Sequence, residues 1–91
     1  MDVSYQVTQF ENTPNPNALK CWLDKPISNM PRSFLNPDMA REDPIARRLF
    51  SEAGVTCVLF NGDWLTINKP PELDWSVVKQ AVQEILSEAG D

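Results

Sequence analysis

Residues 54–69, GVTCVLFNGDWLTINK, set an Asn61-Gly62 pair between two runs rich in β-branched and aromatic residues. Asn-Gly tolerates the positive φ that a two-residue hairpin turn demands, and between apolar runs it is the strongest short-range hairpin signal available. The chain is thereby committed to an antiparallel sheet. In the second arm Leu65 and Ile67 share one face, while Trp64, Thr66 and Asn68 share the other. In the first arm alternation groups Cys57 with Val55 and Leu59, which points its sulfur into the core. Pro70 and Pro71 end the second arm, because neither can donate to a ladder.

The other elements follow from periodicity. VSYQVTQ alternates Val3, Tyr5 and Val7 against Ser4, Gln6 and Thr8, a half-buried strand. ALKCWLD sends Leu19, Cys21 and Leu23 to one face and Lys20, Trp22 and Asp24 to the other. Pro26, Pro31 and Pro37 break any helix in residues 25–42, leaving RSFLN as a short edge strand within an irregular connection. DPIARRLFSEAG reads as a helix capped by Asp43, with Pro44 in its first turn, a stripe of Ile45, Leu49, Phe50 and Ala53, and Gly54 as a left-handed stop. The last helix starts at an Asp74 cap, with Leu73 and Val78 spaced as a hydrophobic staple. Val78, Ala81, Val82, Ile85 and Ala89 form its buried stripe, Gln80, Gln83, Glu84 and Ser87 face outward, Trp75 is a core wedge, and Gly90 ends it.

The predicted fold is therefore α+β: a small antiparallel sheet in the order β-β-(β)-α-β-β-α, with two helices packed on one face. Residues 1–91 make a single domain, near the lower size limit for folding without staples. With 42% hydrophobic residues, the composition is that of a globular chain rather than a disordered one. The N-terminus lacks a signal-peptide pattern, and no apolar run exceeds the four residues Cys57–Phe60, so a soluble, cytoplasmic chain is expected. Met1 and the Gly90-Asp91 ending suggest a natural stop. Within the net charge of −5, residues 72–91 carry Glu72, Asp74, Glu84, Glu88 and Asp91 against Lys79 alone. That acidic helix repels phosphate backbones, and the Arg47-Arg48 step reads as a solvated face, so nucleic acid is not an expected partner.

Catalytic chemistry has little material. Without histidine, Ser-His, Cys-His and imidazole-metal schemes are excluded, and no phosphate-cradling or HExxH motif is present. The chain is read as no enzyme and as holding no cofactor. Cys21 and Cys57 each read as core residues, and two thiols from one chain are too few for a cluster. Asp38, Glu42 and Asp43 lie close together near a helix start, where the macrodipole favours acids in any case; weak Fe(II) binding is the alternative role for them. Trp22 and Trp64 fall on the face opposite the helices. Either they form a partner or dimer surface, or they tuck beneath residues 25–42. In the loop NTPNPNALK, Pro14 and Pro16 stiffen Thr13, Asn15 and Asn17, which suits both a rigid corner between strands and a presented recognition loop.

TPNPNALK, DPIARRLF, GVTCVLFNGDWLTINK and LDWSVVKQAVQEI, in this order, resemble the N-terminal domain of Nfu/NifU-type iron–sulfur scaffold proteins, from about residue 7 to residue 88. The resemblance implies a small α/β unit of the architecture just derived. In that family the cluster is held by a separate C-terminal domain bearing CxxC. This chain has no CxxC, so no cluster ligand carries over to Cys21 or Cys57. What the resemblance implies is an accessory domain linked to cluster assembly or delivery, with an iron–sulfur carrier or client as its partner. Joined to the reading of the residues, it gives a non-enzymatic module, monomeric or weakly dimeric, whose candidate contacts are Thr13, Pro14, Asn15, Pro16, Asn17, Trp22 and Trp64. A protein-binding role unrelated to cluster transfer is the alternative, and neither nucleic acid nor membrane is an expected partner.

Overall fold

A computed structural model describes residues 4–89. Val3 and Gly90, assigned above to the first strand and the last helix end, lie outside the described residues. The elements run β1 (Val7–Asn12), β2 (Ala18–Leu23), β3 (Ser28–Phe34), α1 (Pro44–Glu52), β4 (Cys57–Gly62), β5 (Trp64–Asn68) and α2 (Trp75–Ser87). The five strands form one sheet in the order β1-β2-β5-β4-β3, and every neighbouring pair is antiparallel.

The hairpin is the centre of that sheet. Asn61 pairs with Trp64, so Gly62 and Asp63 occupy the tip. Gly62 has φ 58 and no non-glycine residue among those described has positive φ. Glycine thus takes the first central position, as in a II′ turn, one residue later than the predicted Asn-Gly turn. The hairpin inserts between β2 and β3, and their short connection crosses its tip. Leu23 N–H donates to Asp63 C=O at 2.8 Å, and Ile27 N–H to Gly62 C=O at 2.8 Å.

Both edge strands depart from the simple alternation. Val7 pairs with Leu23 but Gln9 pairs with Trp22, so β1 carries one extra residue at Thr8. That bulge moves Phe10, opposite Cys21, onto the inward face that Val7 also occupies. The strand therefore continues to Asn12, beyond its predicted end, while Tyr5 precedes it and is buried, its N–H bonded to Leu86 C=O at 2.9 Å. On the opposite edge β3 begins four residues before the predicted RSFLN strand. Ser28 pairs with Gly62 and Arg32 with Phe60, so four steps along β3 match two along β4, and Pro31 sits in the irregular part.

Both helices cover one face. Leu49, Phe50, Val78, Val82, Ile85 and Leu86 join Leu19, Cys21, Leu23, Phe34, Val58, Phe60, Leu65 and Ile67 in a single core. Phe34 meets Phe60 edge to face, with ring centroids 5.3 Å apart. The predicted stripes hold, with Ala46 and Leu86 buried in addition and Ile45, Ala81 and Ala89 at the rim. Asp43 caps α1, its Oδ1 accepting the N–H groups of Ile45 and Ala46, both at 3.0 Å. Asp74 holds the N-cap position of α2 with extended backbone, but its side chain makes no capping bond. Arg48 clamps the helices together, bonding Glu52 on α1 at 2.8 Å and Glu88 beyond α2 at 2.9 Å, and is not the merely solvated side chain expected.

Gly54 stops α1 with φ 75, and an added Cβ would lie 2.9 Å from Leu73 Cδ1. Gly62 also has positive φ, but nothing lies within 4 Å of its added Cβ. Gly62→Ala is expected to cost about 1–2 kcal/mol from backbone strain alone. Gly54→Ala should cost more, because Leu73 must also move. Urea unfolding of both variants checks the order, and an equal loss would show that Leu73 yields freely.

Candidate functional site

Among the described residues no helix covers the second face of the sheet. On it, Trp22 and Trp64 stand directly across from one another in the β2–β5 register. Their ring centroids are 6.5 Å apart at an interplanar angle of 59°. Lys20, two residues before Trp22 on the same side of β2, reaches between the rings. Its Nζ lies 4.2 Å from the Trp22 centroid and 4.3 Å from that of Trp64. Each contact of this kind contributes about 0.5–1 kcal/mol where water has access. Glu11, opposite Lys20 on β1, turns its carboxylate to Trp22 and accepts the indole Nε1–H at 3.0 Å. Both tryptophans are half-buried, and their partners lie on the sheet itself. Within residues 25–42, β3 lies at the sheet edge beyond β4, with β5 and β4 between it and the β2 strand of Trp22, and the rest leads to α1.

Cys57 is a correction. Val58 and Phe60 are the buried residues of β4, so Cys57 and Leu59 point to the helix-free face, where Cys57 pairs with Asn68 and Leu59 with Thr66. Cys21 does lie in the core, fully buried, and burial pushes its thiol up to about 12. The two thiols therefore face opposite sides of the sheet, and both are free. Iodoacetamide should label Cys57 in the folded protein and Cys21 only after denaturation. Peptide mass spectrometry reads this directly; prompt native labelling of Cys21 would refute its burial.

The Thr13–Asn17 loop is tied down from within and from below. Thr13 Oγ1 donates within the turn, with Asn15 C=O at 2.9 Å and Ala18 C=O at 3.0 Å in range. Asn15 Oδ1 accepts the N–H of Asn17 at 2.9 Å, closing an Asx-turn. Trp75, less a core wedge than a strut, donates its Nε1–H to Pro16 C=O at 2.9 Å. Lys69 is a buried charged residue, 7% exposed. Its ammonium donates to Asn17 Oδ1 at 3.1 Å and to Pro70 C=O at 3.4 Å, and lies 5.2 Å from the Trp75 ring centroid. The inner atoms of the loop are thus engaged, and Pro14, Asn15 and Pro16 present an exposed rim. Trp75→Phe keeps the ring but removes the bond to Pro16. It should cost about 1 kcal/mol and speed amide exchange across residues 15–18, measurable by NMR hydrogen exchange. Unchanged exchange would mean that the loop holds itself.

The acids near α1 do not converge. Asp43 Oδ1 is spent on the helix cap and Oδ2 pairs with Arg32 at 3.1 Å, while Asp38 pairs with Arg41 at 3.3 Å and Glu42 is exposed. Among the described residues no group of three or more His, Cys, Asp or Glu side chains is placed to hold a metal ion. Capping and ion pairing account for Asp43 and Asp38, and Glu42 points to solvent, so the structure does not gather the three as the alternative iron-binding role would require. Nor is any helix among the described residues long and apolar enough to cross a membrane. Sequence reasoning missed Lys20 and Glu11 as companions of the tryptophans. The Lys20–Trp22 spacing was visible, but the register that brings Trp64 alongside was not.

Comparison with known proteins agrees with this architecture. The family described as "Scaffold protein Nfu/NifU N terminal" matches residues 8–91. The human mitochondrial NFU1 iron-sulfur cluster scaffold homolog is 40% identical over 79 residues, covering 85% of this chain and 31% of the relative. The mitochondrial NifU-like protein 4 of Arabidopsis thaliana is 31% identical over 75 residues, covering 81% of this chain and 26% of the relative. The chain thus spans about a third or less of the length of these relatives. The solution structure of a NifU-like protein from Saccharomyces cerevisiae superposes with a TM-score of 0.76 at 23% identity, covering 92% of this chain and 76% of that one. A crystal structure of a Staphylococcus aureus protein gives a TM-score of 0.70 at 18% identity, with 88% and 96% covered. The two-helix, five-strand sheet is therefore shared with solved structures, and by its match over residues 8–91 the chain belongs to the Nfu/NifU scaffold N-terminal family.

Proposed function

We propose that residues 1–91 act as one non-enzymatic interaction module in iron–sulfur cluster assembly or delivery, docking a cluster carrier or client protein on the helix-free sheet face. The observation that carries this reading is the Trp22–Lys20–Trp64 group, a half-buried aromatic pair with no helix over it among the described residues. Large aromatic side chains supply much of the binding energy at protein interfaces, and an indole already fixed by Glu11 loses little freedom on docking. Leu59 and Cys57 extend the same face with further apolar surface. The names of the relatives, which are cluster scaffold or NifU-like proteins, support the process in which such a module serves.

Docking on the face also fits the state of the sheet edges. β1 is bulged at Thr8, and β3 is irregular around Pro31. Neither edge offers a regular ladder to a partner strand. The exposed rim of the Thr13–Asn17 loop joins the surface at one end in this reading, and its main work is to hold the corner. The module works in the cytoplasm as a monomer or weak dimer, without nucleic acid or membrane. The human and Arabidopsis relatives, by contrast, are named as mitochondrial.

The test is an NMR titration of the labelled chain with a cluster-loaded carrier bearing CxxC. Shifts confined to the indole and backbone signals of Trp22, Trp64 and their strand neighbours are expected. Trp22→Ala and Trp64→Ala should each weaken carrier binding about tenfold, a loss of ~1.4 kcal/mol. Each should cost only about 1–2 kcal/mol of folding stability, against about 3–5 for the core change Phe60→Ala. Absence of shifts at high carrier concentration would remove the chain from cluster transfer, and core-like stability losses would remove the tryptophans from the surface.

A further inference from the structure

Lys20 is the charge around which the helix-free face is arranged. Its ammonium lies between two indole faces at 4.2 and 4.3 Å, which strips water from two sides. Among the described residues no carboxylate approaches it within 4.0 Å, whereas Arg32 and Arg41 each have one and Arg48 has two. Glu11, the acid directly across the strand, is turned to the Trp22 Nε1–H. The neighbours of Lys20 on β5 and β4 are neutral: Thr66 opposite it and Leu59 beyond, then Asn61 and Asn68. The face thus offers a fixed, partly desolvated cation between two indoles, with neutral residues on the β5–β4 side and the Glu11 carboxylate, turned to Trp22, on the β1 side.

We propose that this face receives an acidic segment of a partner protein, whose carboxylate pairs with Lys20 while apolar side chains beside it cover the rings of Trp22 and Trp64. The inference rests on the reading of the sheet face as the docking surface and adds the chemistry of the partner. Charge complementarity selects this occupant. A basic segment would meet an ammonium already seated between the rings, and like charges in contact are costly. A purely apolar segment would cover Lys20 and leave its charge desolvated without a directly paired carboxylate, since Glu11 is turned to Trp22. A carboxylate removes both penalties and gains a charge-assisted hydrogen bond. Of the chain's own acids, Glu11 shares this face and has its carboxylate engaged by the Trp22 Nε1–H, while Glu84 lies on α2 and Glu88 just beyond it, on the helix side of the sheet. At physiological ionic strength the Debye length is about 8 Å, so the field of Glu84 and Glu88 at the open face is largely screened.

Three synthetic peptides test the proposal, identical except for one central residue, Glu, Gln or Lys, between two leucines. Binding to the full chain is read from the Trp22 and Trp64 indole N–H signals. The Glu peptide should bind at least tenfold more tightly than the Gln peptide, with the Lys peptide weakest, and added salt should shrink the difference. Lys20→Met should abolish the preference for Glu while the spectrum keeps its dispersion, and Lys20→Arg should retain it. Equal binding of the Glu and Gln peptides, a preference that survives Lys20→Met, or no indole shift with any peptide at millimolar concentration would each overturn the proposal. The carrier titration separates the two readings. Indole shifts with carrier but no acidic preference in the peptides would remove the acidic partner and leave the docking face. No indole shift with the carrier would remove the cluster-delivery reading, while the peptides still report on the chemistry of the face.

Discussion

Two helices of nine and thirteen residues can cover one face of a five-stranded sheet and cannot reach round to the other. At 1.5 Å per residue they are about 14 and 20 Å long, enough to lie side by side over the strands. Every strand must therefore split its side chains, apolar beneath the helices and tolerant of water on the other side. Much follows from that asymmetry. Leu19, Cys21, Val58, Phe60, Leu65 and Ile67 fill one side. Lys20, Trp22, Trp64, Thr66 and Cys57, which alternate with them, are left on a surface that only the sheet supports. The hairpin inserted between β2 and β3 makes this geometry possible, because it brings Trp64 beside Trp22 from a position 42 residues further along.

The signals that could be read in the sequence were the local and chemically strict ones. Asn61-Gly62 marked the hairpin, Asp43-Pro44 the start of α1, Gly54 its end, and the spacing of Val78, Val82 and Ile85 the buried stripe of α2. What escaped has a common cause in two-residue periodicity. In GVTCVLF both parities are apolar, so Val55-Cys57-Leu59 and Val58-Phe60 are equally good inward sets, and only packing against the helices chooses the second. A bulge changes parity without changing composition, which is why Phe10 could not be aligned with Tyr5 and Val7 in advance. For β3, Pro31 argued against a long strand, yet proline is tolerated where the ladder is already irregular at an edge.

The candidate site divides along the same line. That Trp22 and Trp64 share the helix-free face followed from alternation once the helices were assigned to the other. Their mutual contact, and Lys20 between them, needed the β2–β5 register, which no local pattern encodes. The Thr13–Asn17 loop shows the converse. Its asparagines and prolines announced a stiff corner, and the structure adds what stiffens it: Lys69 of the β5–α2 connection and Trp75 at the start of α2, more than fifty residues away, bind it. Burying an ammonium there is costly unless its donors are satisfied. Asn17 Oδ1, Pro70 C=O and the Trp75 ring meet that requirement together, so the corner and the helix start stabilise one another.

The separation of these two lysines gives the molecule its division of labour. Lys69 is buried and its charge is met by groups of the chain itself, which makes it a fastening. Lys20 is held by two indoles that orient it without neutralising it, since a ring quadrupole attracts a cation but carries no net charge. A fastening satisfied from within has nothing left to offer a partner, whereas a cation oriented and left unpaired remains available for one. The same contrast separates Asp43, both of whose oxygens are occupied by the α1 cap and Arg32, from a ligand poised for a metal. Among the described residues, aromatic surface and a cation with no carboxylate within 4.0 Å coincide on the helix-free face, and the proposed docking rests on that coincidence.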